Sequence, residues 1–384
     1  MGGVYMNNSI SIIGGHVIDP KNEINGIKNI FINGDKITSN QSDEFIENSL
    51  VINAKGCLVL PGLIDFHSHI FFEGTDNSVP PDITMLPNCV TTAVDAGTAG
   101  TANYRSFHKN IICNSITRIK TFISMSPTGQ STNRYNENQD PKYVDEEKMK
   151  LLFNEYPDEL LGIKVRISKE IVKELGIEPL KKAIEIADKL NCSVAVHTTN
   201  PCCDTKRLIK LFRKGDIFAH VYHGTGSTIV GNDKHVIDEV KQARERGVIF
   251  DAANGKNHFS FDTCKAAFND GFLPDVISSD FSSITMFKDP VRGLPWLMSK
   301  YIALGMKLVD VVAACTSTPA KLIGMEGKIG NLSEGVCADV AILKPIDYRC
   351  NFIDANDSSL IGEKLLLPQM TIRQGNIVFR QLNF

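Results

Sequence analysis

Residues 61–70 read PGLIDFHSHI, an apolar run that ends in two histidines separated by one residue. In a strand, successive side chains alternate faces, so His67 and His69 are expected to project to one side, close enough to share an ion. The same pattern of a short apolar run followed by a chemically useful residue recurs downstream. After the first run at 58–64 come others at 90–94, 119–125, 161–167, 193–196, 217–221, 248–250 and 276–277, with helix-like segments between them. His197 closes the fifth run (SVAVH), His220 closes the sixth (DIFAH), Asp280 follows the eighth (DVISSD), and Lys164 lies inside the fourth (GIKVRIS).

Eight strand candidates recurring roughly every 25 to 40 residues have the cadence of β/α units closing a TIM (β/α)8 barrel, an α/β fold that collects its chemistry at the C-terminal ends of its strands. The helical signal is clearest in EPLKKAIEIADKLN, where Leu180, Ala183, Ile184, Ala187 and Leu190 form one apolar stripe and lysines take the opposite face. A second helix is expected at KLVDVVAAC. Both chain ends instead carry β-like runs broken by turn signals, including Gly14-Gly15, Asn33-Gly34-Asp35 and a hairpin tip at Gln374-Gly375-Asn376. The expected organisation is therefore a small β-sandwich domain built from residues 1–60 and 326–384 around a barrel at 61–325.

Composition narrows the function. The chain has 384 residues, 42% of them hydrophobic and 22% charged, which suits a folded core rather than disorder. A formal charge of −3 supplies no basic field for collecting phosphates, so small solutes are expected as partners and nucleic acid is not. Ten cysteines occur without a C-x-x-C pair, the pattern of reduced thiols in a cytoplasmic protein. The N-terminal MGGVYMNNSISIIGG does not read as a signal peptide, and Met6 stands where a myristoylation signal needs Ser or Thr. No apolar run is long enough to cross a bilayer, so no membrane partner is expected.

A lone inward lysine on a strand is more often the partner of a buried carboxylate. In company with four strand-associated histidines, Lys164 becomes a candidate for carbamylation by carbon dioxide, which converts a cation into a bridging, carboxylate-like ligand. The ordered set of H-x-H, Lys, His, His and Asp resembles the amidohydrolase superfamily. GIKVRIS, VAVHTTNP, GDIFAH, ISSDFSS and the run LPWLMSKYIALGM, STPAKLIG, LSEGVCADVAIL look like its dihydroorotase-like amidohydrolase/deacetylase subgroup. That resemblance implies two divalent metals, usually zinc: His67, His69 and Asp280 on one, His197 and His220 on the other, and carbamylated Lys164 bridging them. It also implies a metal-activated water that hydrolyses an amide of a small N-acyl amino-acid-like substrate, with ester cleavage at the same site. Asp280 is then the catalytic proton acceptor. A homo-oligomer is the expected assembly.

Several further residues have two readings. Arg166 shares a strand face with Lys164 and is expected either to bind a substrate carboxylate through a bidentate fork or to pair with a barrel acid. His223 rivals His220, and the strand-end position favours His220. Cys202 and Cys203 are either soft ligands or uncommitted loop thiols. Asp95 either orients a ligand histidine or caps DAGTAG, whose glycines lack the spacing of a nucleotide loop. The subgroup leads one to expect a Gly-His-Gly-like turn after the seventh strand, but the chain reads FDAANGKNHFSF, with Asn254 in the histidine's place and His258 four residues on. Dihydroorotases typically carry an arginine just after H-x-H, whereas Ile70 and Phe71 follow here. Adenine deaminases usually place a glutamate close behind, and Glu73 is displaced from that position. A metal-free scaffold should show eroded ligands, yet all six positions carry competent residues.

Overall fold

A computed structural model describes residues 9–384. Met6 and the first eight residues of the N-terminal β-segment lie outside that range. Fifteen strands are present among the described residues: β1 (Ser9–Asp19), β2 (Ile24–Asn33), β3 (Lys36–Thr38), β4 (Leu50–Asn53), β5 (Leu58–Pro61), β6 (Leu63–Ser68), β7 (Val90–Ala96), β8 (Arg118–Ser124), β9 (Leu160–Arg166), β10 (Ser193–His197), β11 (Ile217–Ala219), β12 (Ile249–Asp251), β13 (Val340–Ile353), β14 (Ser359–Arg373) and β15 (Asn376–Arg380). Strands β6 to β12 form a parallel sheet in sequence order. The fold is a TIM-type barrel joined to a mixed sheet that both chain ends build.

The barrel closes through a segment too short to pair as a regular strand. Residues 276–281 bridge β12 at Asp251↔Val276 and β6 at Ser68↔Phe281, both in the parallel sense. Ala252 N donates to Val276 O at 3.0 Å on one side, while Asp280 N donates to His67 O at 2.7 Å and His69 N to Phe281 O at 2.8 Å on the other. The eighth run of the sequence therefore completes the ring by hydrogen bonding on both edges.

Strand register explains where the polar residues go. Lys164 pairs with Ala195 and Arg166 with His197, so β9 and β10 present alternate residues to the same interior. Phe122 sits opposite Gly162, and Val94, Phe122, Ala195, Ile217 and Val276 pack into one buried cluster. Polar groups at the strand ends thus rest on an apolar floor, and the outward faces are covered by helices, as a parallel sheet requires. In the helix Glu178–Leu190 the buried stripe is Leu180, Ala183, Ile186 and Ala187, with Ile184 and Leu190 only partly covered. The stripe is rotated slightly from the spacing-based expectation because contact with β9 and β10, rather than average hydrophobicity, sets which face turns inward. Asn191 ends this helix in the left-handed conformation, where an Asn is tolerated.

Three details differ from the sequence reading. The run at 58–64 divides at Gly62: β5 pairs antiparallel with β13 in the terminal sheet, while β6 enters the barrel. The sixth strand stops at Ala219 because His220 takes a positive φ of 66°, so this histidine sits just past the strand end. The C-terminal β-segment is much longer than its apolar stretches suggested, since β13 and β14 form an extended antiparallel pair. The terminal sheet runs β15-β14-β13-β5-β1-β2-β3, with β4 also on β1, and encloses its own apolar core. No helix among the described residues is long and apolar enough to cross a membrane.

Candidate metal centre

A cavity of about 380 Å³ opens over the C-terminal strand ends, a size suited to a small molecule. His67, His69, Lys164, Arg166, His197 and Asp280 all line it. His220 lies against it through His197, with His220 Nε2 2.9 Å from His197 Nδ1. The six sequence candidates for metal binding therefore meet at one place.

They fall into two groups. His67, His69 and Asp280 each present a ligand atom within 4.8 Å of the others, and so do His197, His220 and His258. Asp280 Oδ1 is 3.2 Å from His69 Nε2 and 3.8 Å from His67 Nε2. Lys164 Nζ is 3.1 Å from His67 Nε2 and buried. Imidazole nitrogens, a carboxylate and a convertible lysine make a donor set that fits borderline divalent ions.

Hydrogen bonds on the far side of each ring fix which nitrogen faces the centre. Asp251 accepts from His67 Nδ1 at 3.0 Å, Thr98 Oγ1 meets His69 Nδ1 at 2.8 Å, and the Ala253 carbonyl accepts from His220 Nδ1 at 2.7 Å. Each leaves Nε2 directed inward, the usual arrangement of a ligating histidine with an outer partner. Asp251 ends the seventh strand and was missed as a candidate. The rule that singles out His197, a polar residue closing an apolar run, applies equally to VIFD. Asp95 does not touch a ligand ring. Its carboxylate accepts from Ile70 N at 3.0 Å and Thr98 N at 2.7 Å, so it shapes the turn that carries Thr98.

Burial sets the electrostatics. Desolvation pushes Lys164 down to about 8, which increases the neutral amine able to react with carbon dioxide; Asp280 and Asp251 nearby oppose the shift. His67, His197 and His220 are held well below the ordinary imidazole value, first by burial and then by the basic groups packed around them, so all three are neutral at pH 7. Asp251 is raised to about 7 by burial, against the lowering effect of its bond from Ser278.

The remaining candidates separate clearly. Arg166 lines the cavity, and its Nη1 donates to Glu137 Oε2 at 3.0 Å, so a barrel-rim acid already occupies one arm. Its Nε has no partner in the structure. His223 is fully buried, neither ring nitrogen has a partner, and it does not reach the cavity. Cys202 and Cys203 lie outside the lining, with thiols raised chiefly by burial, which suits uncommitted loop residues. Asn254 is buried away from the cavity: Lys300 Nζ donates to its Oδ1, and its Nδ2 donates to Ser278 O at 2.9 Å. His258 lines the cavity instead. Gly255, with φ of 54°, makes this possible, because a side chain there would strike the Asp280 carboxylate and come within 2.6 Å of His258 Cδ2. Glu73 is exposed and lines nothing here, while Ile70 and Phe71 are sealed in the core.

Known proteins share this fold. The family model described as "Amidohydrolase family" matches residues 58–378. A deacetylase of Agrobacterium fabrum is 31% identical over 322 residues, 84% of this chain and 79% of that protein. A crystal structure titled as an adenine deaminase superposes with a TM-score of 0.88 at 26% identity, covering 97% of this chain and 99% of the other. One titled as a dihydroorotase gives 0.86 at 29%, covering 96% and 97%.

Proposed function

The chain belongs to the amidohydrolase family, metal-dependent hydrolases of carbon-nitrogen bonds outside peptides, and from that premise we propose that it removes the acyl group from a small N-acyl amino-acid-like molecule, with esters as alternative substrates. In this reading His67, His69 and Asp280 hold one divalent ion, probed first as zinc, and His197 and His220 hold the other. Lys164, as its carbamate, would be the anionic ligand available to both. The supporting observation is the convergence of two ligand groups on one cavity, with a buried lysine whose Nζ is 3.1 Å from His67 Nε2.

Ions held there supply a water of lowered pKa and polarise the scissile carbonyl. The protein's own residues do the rest. Asp280 shares its carboxylate between the His67 and His69 side and the cavity, which suits it to take a proton from the water and return it to the leaving nitrogen. Arg166 offers the carboxylate of an anionic substrate its free arm, while Glu137 fixes the other. Ile70 and Phe71, both buried, leave no arginine behind the H-x-H motif, which favours an acyclic N-acyl substrate over dihydroorotate. The exposed Glu73 gives no support to adenine deamination.

The proposal places this chemistry in a barrel domain at 61–325, flanked by the terminal β-domain, acting on small solutes in the cytoplasm as a homo-oligomer. Ten unpaired cysteines suit a reducing compartment. The test couples metal analysis to a hydrolysis screen of N-acetyl, N-formyl and cyclic amide derivatives of amino acids. Purified enzyme should carry a pair of ions and turn over an acyclic N-acyl compound. Full-rate hydrolysis after exhaustive chelation, with no metal detected, refutes the reading.

A further inference from the structure

We propose that His258 is a third imidazole ligand of the ion site formed by His197 and His220, so that this site has a three-histidine set while its neighbour has two histidines and a carboxylate. The proposal rests on the metal reading above and goes beyond it in the number and source of ligands.

Ring geometry carries the argument. The ring centroids are 4.3 Å apart for His197 and His220, 4.9 Å for His197 and His258, and 4.2 Å for His220 and His258. An imidazole bound to zinc at about 2.0–2.1 Å puts its ring centre about 3.2 Å from the ion, so rings at those separations that share one ion have directions about 80–100° apart. The three rings would thus be spaced closely enough to hold one ion together. The first group is arranged differently, with His67 and His69 centroids 6.0 Å apart.

The hydrogen bonding points the same way. Thr199 Oγ1 lies 2.9 Å from His258 Nδ1, which leaves Nε2 as the free nitrogen, much as Ala253 O engages the outer nitrogen of His220. Thr199 follows the fifth strand and sits two residues past His197, so one short segment supplies both a ligand and the partner that orients the other ring. The loop after β12 is itself pinned. Asn254 N and Gly255 N donate to the carbonyls of Ser278 and Ser279 at 3.1 and 3.0 Å, and Asn254 is held further by Lys300. His258 is thus carried to the centre by a loop tied to the segment that bears Asp280.

Three protein ligands suffice for a catalytic-type ion site. An ion on His197, His220 and His258 should therefore persist without the Lys164 bridge, although two cations without an anion between them repel and the pair breaks. The alternative role for His258 is contact with substrate or with Asp280, whose Oδ2 is 3.8 Å from His258 Nε2.

The test reconstitutes apo-protein with Co2+ and with Zn2+, and measures ions per chain, affinity by competition with a chelating dye, and the Co2+ visible spectrum. It uses wild type, His258→Asn, His258→Gln, Lys164→Ala and the Lys164→Ala/His258→Asn double variant. Either His258 variant should weaken one of the paired ions by at least about tenfold and alter part of the Co2+ spectrum, since loss of even an outer partner of a ligand costs about that much. Lys164→Ala should keep a single tightly held ion, and the double variant should lose it. If both His258 variants bind the pair with wild-type affinity and an unchanged spectrum, while only KM rises, His258 is a substrate contact and the inference fails alone. If folded wild-type protein binds no divalent ion, the metal reading fails and takes this inference with it.

Discussion

Gly97 follows β7 with φ of 78°, directly beneath the lysine on which the proposed bridge depends. A methyl group there would overlap Lys164 Cβ and sit 2.7 Å from Lys164 Cγ. The Cβ cannot swing aside, because its position is fixed by the β9 backbone. Gly97→Ala then carries two costs. A left-handed conformation for a residue with a Cβ costs about 1–2 kcal/mol, and overpacking a tight interior costs about 1–3 kcal/mol more. The sum is about 2–5 kcal/mol, which lowers the melting temperature of a chain this long by about 2–6 °C. Displacing the stem of Lys164 by a good part of an ångström also moves Nζ from its place 3.1 Å from His67 Nε2. Thermal unfolding and metal analysis on the same preparation read both effects. Gly97→Ala should melt lower and hold fewer ions than wild type even when saturated at low temperature. An unchanged melting temperature with a full pair of ions would refute the packing argument and the dependence of the centre on Lys164 together.

Other perturbations probe other links. Lys164→Ala should lose paired metal binding and most turnover, and millimolar formate or acetate should restore part of the activity by occupying the vacated space, with no such rescue of His67→Ala; wild-type turnover in Lys164→Ala would make this lysine a structural cation. Arg166→Met should raise KM steeply for an anionic N-acyl amino acid and hardly at all for its neutral amide analogue, and equal losses on both would assign Arg166 to its pairing with Glu137. Asp251→Asn removes the carboxylate behind His67, so metal affinity should fall by about 10–100-fold in a competition titration, and an unchanged affinity would make that hydrogen bond dispensable. Lys300 is buried and lowered to about 7 by desolvation, so the unfolded chain binds the extra proton between about pH 7 and the ordinary lysine value. Wild-type stability should therefore rise with pH across that window relative to Lys300→Met, with a slope on the order of 1 kcal/mol per pH unit. Parallel denaturation curves for the two proteins from pH 7 to 9 would contradict that burial.

The barrel was legible because its strands are apolar runs of regular cadence, and the candidate centre because its residues close those runs. Even the eighth strand, pared down to 276–281, kept its apolar start and its terminal Asp280. What stayed hidden depends on which strand end faces which. Nothing near His67 in sequence announces Asp251, 184 positions away, as the partner of its Nδ1. Glu137 lies in a stretch without periodicity and meets Arg166 only because that loop folds over the rim. Asn254 occupied the expected histidine position, but the sequence offered no sign that Lys300 would draw it down and leave the cavity to His258. The extended β13 and β14 pair was missed because Pro345 and Pro368 interrupt stretches with exposed alternate residues.

The first and last of the described strands share one sheet, and the barrel's opening strand is sealed by its closing segment. A ribosome delivering this protein from its N-terminus therefore exposes β5 with an empty edge until β13 has been translated, and presents His67 and His69 long before Asp280 exists to complete their group. The terminal sheet waits on β13, so a chain cut short before Val340 leaves the edge of β5 unpaired and is a natural client for chaperones and proteases rather than a partly active enzyme.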